Sequence, residues 1–293
     1  MWIWRIVFRV MPVIGHFLGI LIIFVVYLFR SPVLMVSDAS LSLLYGASRA
    51  QAKQLEISMK TFRPFVLVTV AENAPVEIVV EAIKAGHNAP RAVLFPYYFI
   101  DAARRFHEEV PGIPALVLGG RHTGDIEGEP AFLRTDNEAD FYRAGAIAAF
   151  LSREAEEGDI VLFYDVAFGD EEQAAFEKGL EEGNFSGEKI YLSAGSDYYS
   201  WQNVFCVVVA GPAARFFDRA LDKPVVLFSW IDPGMTPRNV KVLFDDSPWA
   251  RASESLRILN RGGGKLPSEL ILPSGRLAKD RAAVRKLAKT PLR

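Results

Sequence analysis

Short continuous runs of Val, Leu and Phe recur along this chain, each separated from the next by room for one helix. In the first half the runs are PVLMVSD (32–38), FVLVTVA (65–71), AVLFPY (92–97) and PALVLGG (114–120), with helix-like segments at 41–61, 75–85 and 99–109 between them. Apolar runs without polar alternation suit strands buried on both faces, and their alternation with helices indicates βαβ units in a parallel sheet. AFLRTD (131–136) leads into the long helical pattern EADFYRAGAIAAFLSREAEE, and then the series restarts. Its members are DIVLFYDV (159–166), a helix over 170–182, KIYLSAG (189–195), VFCVVVAG (204–211), a helix over 212–221 and PVVLFSW (224–230). NVKVLFDDSP (239–248), a helix through SLRIL and the strand SELILP (268–273) close the pattern. Two α/β series of similar size predict two doubly wound parallel-sheet lobes, a partition that 293 residues can support.

The first thirty residues obey a different rule. MPVIGHFLGILIIFVVYLF (11–29) is apolar apart from His16 and long enough to cross a bilayer. Arg5 and Arg9 precede it, which places the N-terminus in the cytoplasm and the remainder outside. The run exceeds a cleavable signal core, FRSPVLM offers no small-x-small cleavage site, and no Cys follows to carry a lipid. The expectation is an uncleaved transmembrane signal anchor in a bacterial inner membrane, with a buried core helix as the alternative. The expected organisation is 1–31 for stub and anchor, 32–134 plus 246–264 for the first lobe, 135–245 plus 265–276 for the second, and 277–293 for a basic tail.

Charge and motif content narrow the function. The net charge is −2, yet residues 1–30 carry only arginines and residues 265–293 carry eight Lys and Arg against Glu269 and Asp280. The body between is therefore acidic and lacks the clustered bases of a nucleic-acid surface. Cys206, the one cysteine, lies inside VFCVVVAG, which reads as a small buried hydrophobe and excludes an intramolecular disulfide. His16, His87, His107 and His122 have no metal-ligand spacing, and no Walker loop, G-x-S-x-G elbow, H-E-x-x-H or G-x-G-x-x-G is present. Asp245 and Asp246 are adjacent on a strand, so they point to opposite faces and do not share a substrate. Nothing in the sequence supports catalysis or calls for a cofactor. The tail GRLAKDRAAVRKLAK has weak helical patterning among its bases, which suits a solvated tail or a helix lying on anionic lipid.

Several stretches, taken in order, resemble the type I periplasmic binding proteins. FYRAGAIAAFL (141–151) resembles the helix that opens the second lobe in the basic-membrane-protein, or nucleoside-binding lipoprotein, branch. GDIVLFYDVAFGDEEQAAFEKGLEEG (158–183) is similar to that branch's strand–loop–helix, with Phe176, Gly179 and Gly183 in its pattern. VFCVVVAG and PVVLFSWIDPG resemble strands ending at the cleft, and KLPSELILPSGRL is similar to the terminal segment of lactose-repressor-like relatives. The resemblance implies two lobes joined by crossings near 132–138, 243–247 and 262–267, with a small molecule held between them and an ABC permease or a membrane sensor as partner.

Ligands of open α/β sheets bind at the carboxyl ends of strands, which selects candidates directly. In the first lobe these are Asp38 and Ser40, which also suit a helix cap, and Phe95 and Tyr97 of the FPYY stretch, whose rings suit stacking or lobe packing. Tyr45 suits core packing better than the cleft. In the second lobe the candidates are Tyr164, Phe168, Gly211, Trp230 and Asp232. The resemblance makes Asp232 the cleft aspartate and Gly211 the nucleoside-branch feature. With 11–29 as the anchor, the resemblance implies a membrane-anchored extracytoplasmic solute-binding protein for a small polar or aromatic ligand, of which a nucleoside is one example. Two alternatives stay open: a scaffold that retains the fold without binding a ligand, and a Rossmann-like transferase.

Overall fold

The computed structural model describes residues 18, 21–22, 24–86, 89–119, 129–153, 158–164, 168–193, 201–210, 222–229, 231–259, 263–273 and 281–287. The first lobe is laid down as β1 (Val33–Ser37), α1 (Ala39–Tyr45), α2 (Ala47–Thr61), β2 (Phe65–Thr69), α3 (Val76–Gly86), β3 (Ala92–Pro96), α4 (Ile100–Glu109), β4 (Ala115–Leu118) and β5 (Ala131–Thr135). The chain then enters the second lobe with α5 (Asn137–Leu151), β6 (Asp159–Tyr164), α6 (Asp170–Glu182), β7 (Lys189–Ser193), β8 (Val204–Ala210), β9 (Val225–Phe228) and β10 (Val240–Asp245). Helix α7 (Pro248–Leu259) and β11 (Gly263–Leu266) return to the first lobe. The chain finishes with β12 (Glu269–Ile271) and α8 (Arg281–Leu287) in the second.

Strand order is β11-β5-β4-β3-β1-β2 in the first sheet and β12-β10-β9-β8-β6-β7 in the second. Every pair is parallel except β10 with β12. The inner strands β1, β3 and β4 are buried along their full length, whereas the edge strand β2 is only half covered, as burial on both faces requires. Side chains alternate between the two helix layers. Met35, Leu94 and Leu116 join Tyr45, Ile57 and Trp249 on one face, and Leu34, Phe95 and Val117 join Val79 and Phe106 on the other.

In the second lobe α5 and α6 cross at close range, and their glycines are the reason. A methyl group on Gly145 would overlap the Phe176 carbonyl and lie 3.0 Å from Leu180 N. One on Gly179 would overlap the Tyr142 carbonyl and lie 2.9 Å from Ala146 N. Only hydrogen at both positions lets the two backbones approach, and ten consecutive residues of α5, Asp140–Ala149, are buried as a result. Cys206 is fully buried in β8 and burial pushes its thiol up to about 12, so it packs as a hydrophobe.

Of the expected anchor, residues 11–17, 19–20 and 23 lie outside the described residues. Residues 24–28 are helical, and the apolar side chains from Leu18 to Phe29 that are described are solvent-exposed apart from Tyr27. Among the described residues no helix is long and apolar enough to cross a membrane.

Candidate functional site

Three crossings join the lobes, and each leaves a sheet at the carboxyl end of a strand. β5 passes through Asp136 into α5, β10 through Asp246 and Ser247 into α7, and β11 through Pro267 and Ser268 into β12. The carboxyl ends of both sheets therefore face one another across these crossings, which is where parallel-sheet proteins assemble sites.

A buried polar network ties the crossings together. The Asp140 carboxylate accepts from the Ser268 backbone N–H at 2.8 Å and from the Ser268 hydroxyl, and it is paired with Arg143. Arg143 also donates to the Ser268 carbonyl at 2.9 Å. Arg251 reaches the carbonyls of Leu266 and Pro267 at 2.8 and 3.0 Å, the Thr135 hydroxyl at 3.2 Å and the Ser268 hydroxyl at 3.3 Å. One guanidinium thus touches two of the three crossings while sitting at the start of the third one's helix. Burial drives the Asp140 carboxyl above its usual range, opposed by Arg143 and Ser268, and lowers Arg251.

A second set of contacts runs from the α1–α2 corner across to the second lobe. Arg49 and Lys53, four residues apart on α2, share a face, and Tyr45 ends α1 beside them. The Tyr45 hydroxyl donates to Asp245 Oδ2 at 3.2 Å, Arg49 pairs with the same fully buried carboxylate, and Lys53 lies 2.6 Å from Glu269. The Arg49 guanidinium sits 3.9 Å above the Tyr45 ring, which in turn stacks on Trp249 at 5.9 Å. Burial, then the Asp245 charge, pushes the Tyr45 hydroxyl well above the usual phenol range, so it acts as a donor. At the corner itself Gly46 has φ +88°, and the Asp232 N–H donates to the Leu44 carbonyl at 2.9 Å.

Asp38 caps α1: Oδ1 accepts from Leu41 N at 2.9 Å and from the Ser40 hydroxyl at 2.8 Å, so both residues serve the cap. Phe95, expected at the cleft, is instead a core residue, fully buried 5.9 Å from Phe106. It still lies within β3 and points into a helix layer; only residues past the strand end clear both layers. Tyr97 does so and is exposed, as is its neighbour Tyr98, their rings 5.9 Å apart edge to face. Burial of the hydroxyl and the nearby Asp38 charge raise Tyr98 above the ordinary phenol range, so Asp38 and this aromatic pair share one rim.

Across the cleft, Phe168 is half-buried with its ring 4.7 Å from Phe141, which lies 5.0 Å from Phe228. Asp232, expected to accept from a ligand, accepts from Gly234 N at 2.8 Å, and its other oxygen abuts the α-carbon of Gly46. Gly211 and Trp230 lie outside the described residues, as does the side chain of Tyr164.

The sequence reading passed over Asp246 as a site residue. Asp245 and Asp246 do face opposite ways: the first is fully buried, and the second is exposed to solvent. Although the residue reaches solvent, desolvation of its carboxyl raises it to about 6, with Arg251 opposing and the charges of Asp245 and Asp140 reinforcing the shift.

The fold is matched in solved structures. A transcriptional activator of the comK gene from Bacillus halodurans superposes with TM-score 0.58 at 13% identity, over 89% of this chain and 98% of that one. The chain has a periplasmic-binding-protein-like fold. An ABC transporter solute-binding protein from Conexibacter woesei gives TM-score 0.58 at 13% identity, over 90% and 98%. A periplasmic ribose ABC transporter protein from the same organism gives 0.54 at 10%, over 90% and 99%. At these identities the likeness carries the periplasmic-binding-protein-like fold alone. No protein-family model matches the chain, and no curated protein matches it in sequence.

Proposed function

We propose that this protein is a membrane-anchored extracytoplasmic receptor that closes its two lobes over a small polar, aromatic solute and performs no chemistry on it. The observation that carries the reading is the Tyr97–Tyr98 pair, left exposed at the end of a fully buried strand and beside the Asp38 cap. Two large rings held at such a rim cost hydrophobic free energy unless they stack on a ligand, and a planar base or a sugar face is what they fit. A nucleoside-like solute meets that requirement, with Asp246 across the hinge as an acceptor for hydroxyl or amino groups. The apolar segment 11–29 anchors the protein in a bacterial inner membrane with the lobes outside. Only Arg30, Ser31 and Pro32 separate that segment from β1, which favours a tethered sensor or a permease-bound receptor over a diffusing carrier.

A second reading, an interaction scaffold that binds no solute, is favoured by the α1–α2 corner. There Leu44, Tyr45 and Arg49 already occupy Asp232 and Asp245. Thermal melting of the full chain against nucleosides and sugars separates the two. A solute at a hundred times its Kd adds about 2.7 kcal/mol of stability, and Tyr97→Ala/Tyr98→Ala removes that gain. If no nucleoside or sugar raises the Tm and none co-purifies by mass spectrometry, the receptor reading fails and the scaffold stands.

A further inference from the structure

Where the N-terminal apolar segment joins the first lobe, three arginines converge on one small surface. The helical residues 24–28 touch the lobe through Tyr27, whose ring lies 5.8 Å from that of Phe62. Phe62 ends α2 with φ +49°, a left-handed backbone uncommon for so bulky a residue, and carries the Arg30 guanidinium 4.9 Å from its ring. The next residue, Arg63, donates from Nη1 to the Ser31 carbonyl at 3.1 Å. The backbone N–H of Arg91 donates to the Pro32 carbonyl at 2.7 Å. Residues from α2, from the approach to β3 and from the apolar segment itself are thus knitted around a single junction.

The charge at this junction is unbalanced. Three other arginines of the first lobe are paired with carboxylates: Arg49 with Asp245, Arg104 with Glu129, Arg105 with Glu109. Arg30, Arg63 and Arg91 form no ion pair with a carboxylate among the described residues. Burial, and then the like charges of Arg30 and Arg91, hold the Arg63 guanidinium below its usual range. Arg30 and Arg91 are exposed, and the apolar residues Phe24, Val25, Val26, Leu28 and Phe29 are exposed immediately beside them.

Guanidinium groups bind phosphate through paired, charge-assisted hydrogen bonds, so a phosphate anion relieves this repulsion. The adjoining apolar side chains need hydrocarbon. One partner supplies both. We propose that Arg30, Arg63 and Arg91 form a collar that binds the phosphate of anionic phospholipid headgroups where the apolar helix enters the bilayer. The inference rests on the membrane-anchor reading above and deepens it: the collar would fix the first lobe against the membrane surface rather than leave it swinging on its tether.

The test uses the full chain, purified in neutral detergent and floated with vesicles of pure phosphatidylcholine or of phosphatidylcholine mixed with phosphatidylglycerol. Each arginine near an anionic surface contributes on the order of fivefold in partitioning at low salt, or roughly a hundredfold for three. The expected result is flotation with both vesicles, a marked preference for phosphatidylglycerol, and loss of that preference in Arg30→Gln/Arg63→Gln/Arg91→Gln. The corresponding triple Lys variant should keep most of the preference, and an unchanged thermal melt would show that both variants fold. Flotation of wild type on neither vesicle sinks the anchor and the collar together. Flotation on phosphatidylcholine with no preference, or a preference that survives the triple Gln variant, overturns the collar alone. Inorganic phosphate, at ionic strength matched with chloride, should leave the preference intact; its abolition would assign the arginines to free phosphate and overturn the lipid assignment.

Discussion

Replacing Gly46 with Ala tests the contact between the lobes where it is tightest. Gly46 has φ +88° and ψ +123°, outside the small left-handed well, so any L side chain there carries about 1–3 kcal/mol of backbone strain. The new methyl would overlap Asp232 Oδ2 and lie 3.0 Å from its Cγ, so the carboxylate must rotate away. That rotation gives up the 2.8 Å hydrogen bond from Gly234 N, worth about 1 kcal/mol net. Loss of glycine's freedom in the unfolded chain offsets about 0.4–1 kcal/mol. The expected destabilisation is therefore about 1–3.5 kcal/mol. Asp232→Ala alone should cost about 1 kcal/mol. The double variant should cost about 1 kcal/mol less than the sum, because removing the carboxylate leaves room for the methyl. Urea denaturation followed by tryptophan fluorescence reads all three, with buried Trp249 reporting the first lobe. Additivity within about 0.3 kcal/mol would mean that the 231–234 loop does not rest on the α1–α2 corner in solution, and the interlobe latch would be wrong.

Three further outcomes follow from the hinge and the second lobe. Asp246 has its folded pKa raised to about 6, above its unfolded value, so its ionisation opposes folding above pH 6 and that penalty fades as pH falls towards 4. Asp246→Asn should raise the Tm at pH 7 and lose the advantage near pH 4, and a pH-independent difference would contradict the desolvation argument. Asp140→Ala leaves Arg143 buried without its carboxylate and strips Ser268 of its acceptors, which should cost about 3–5 kcal/mol in chemical denaturation; a loss under about 1 kcal/mol would remove the network from the hinge. Gly179→Ala forces α6 off the Tyr142 carbonyl, and overpacking of this kind should lower stability by about 1–3 kcal/mol, with neutrality refuting the close crossing.

Much of the fold was legible from local patterns. Runs such as VLMVS and VFCVVVA, bounded by helical spacings, read correctly as parallel strands because burial on both faces leaves them almost wholly apolar. The glycines of FYRAGAIAAFL and AFEKGLEEG were visible as motifs, and only the structure showed that they bring two helix backbones into contact. Asp38 was legible as a cap because a cap is completed within three residues. The site was legible only as a set of strand ends. Phe95 and Tyr97 are two residues apart in one aromatic stretch, and nothing in their identity tells which one clears the helix layers. Where β3 stops decides it.

The sequence by itself therefore determined the two α/β series, the apolar first segment and the positions of the strand ends, since each depends on side chains within one or two turns. Only the tertiary structure decided which polar groups meet. Asp245 is separated by 196 residues from Arg49, and Asp140 by 128 from Ser268. Their pairing depends on how two independently built lobes dock, and no periodicity carries information over that distance. The same docking set Asp232 against Gly46, left Asp246 open to solvent, and gathered Arg30, Arg63 and Arg91 at the root of an exposed apolar helix.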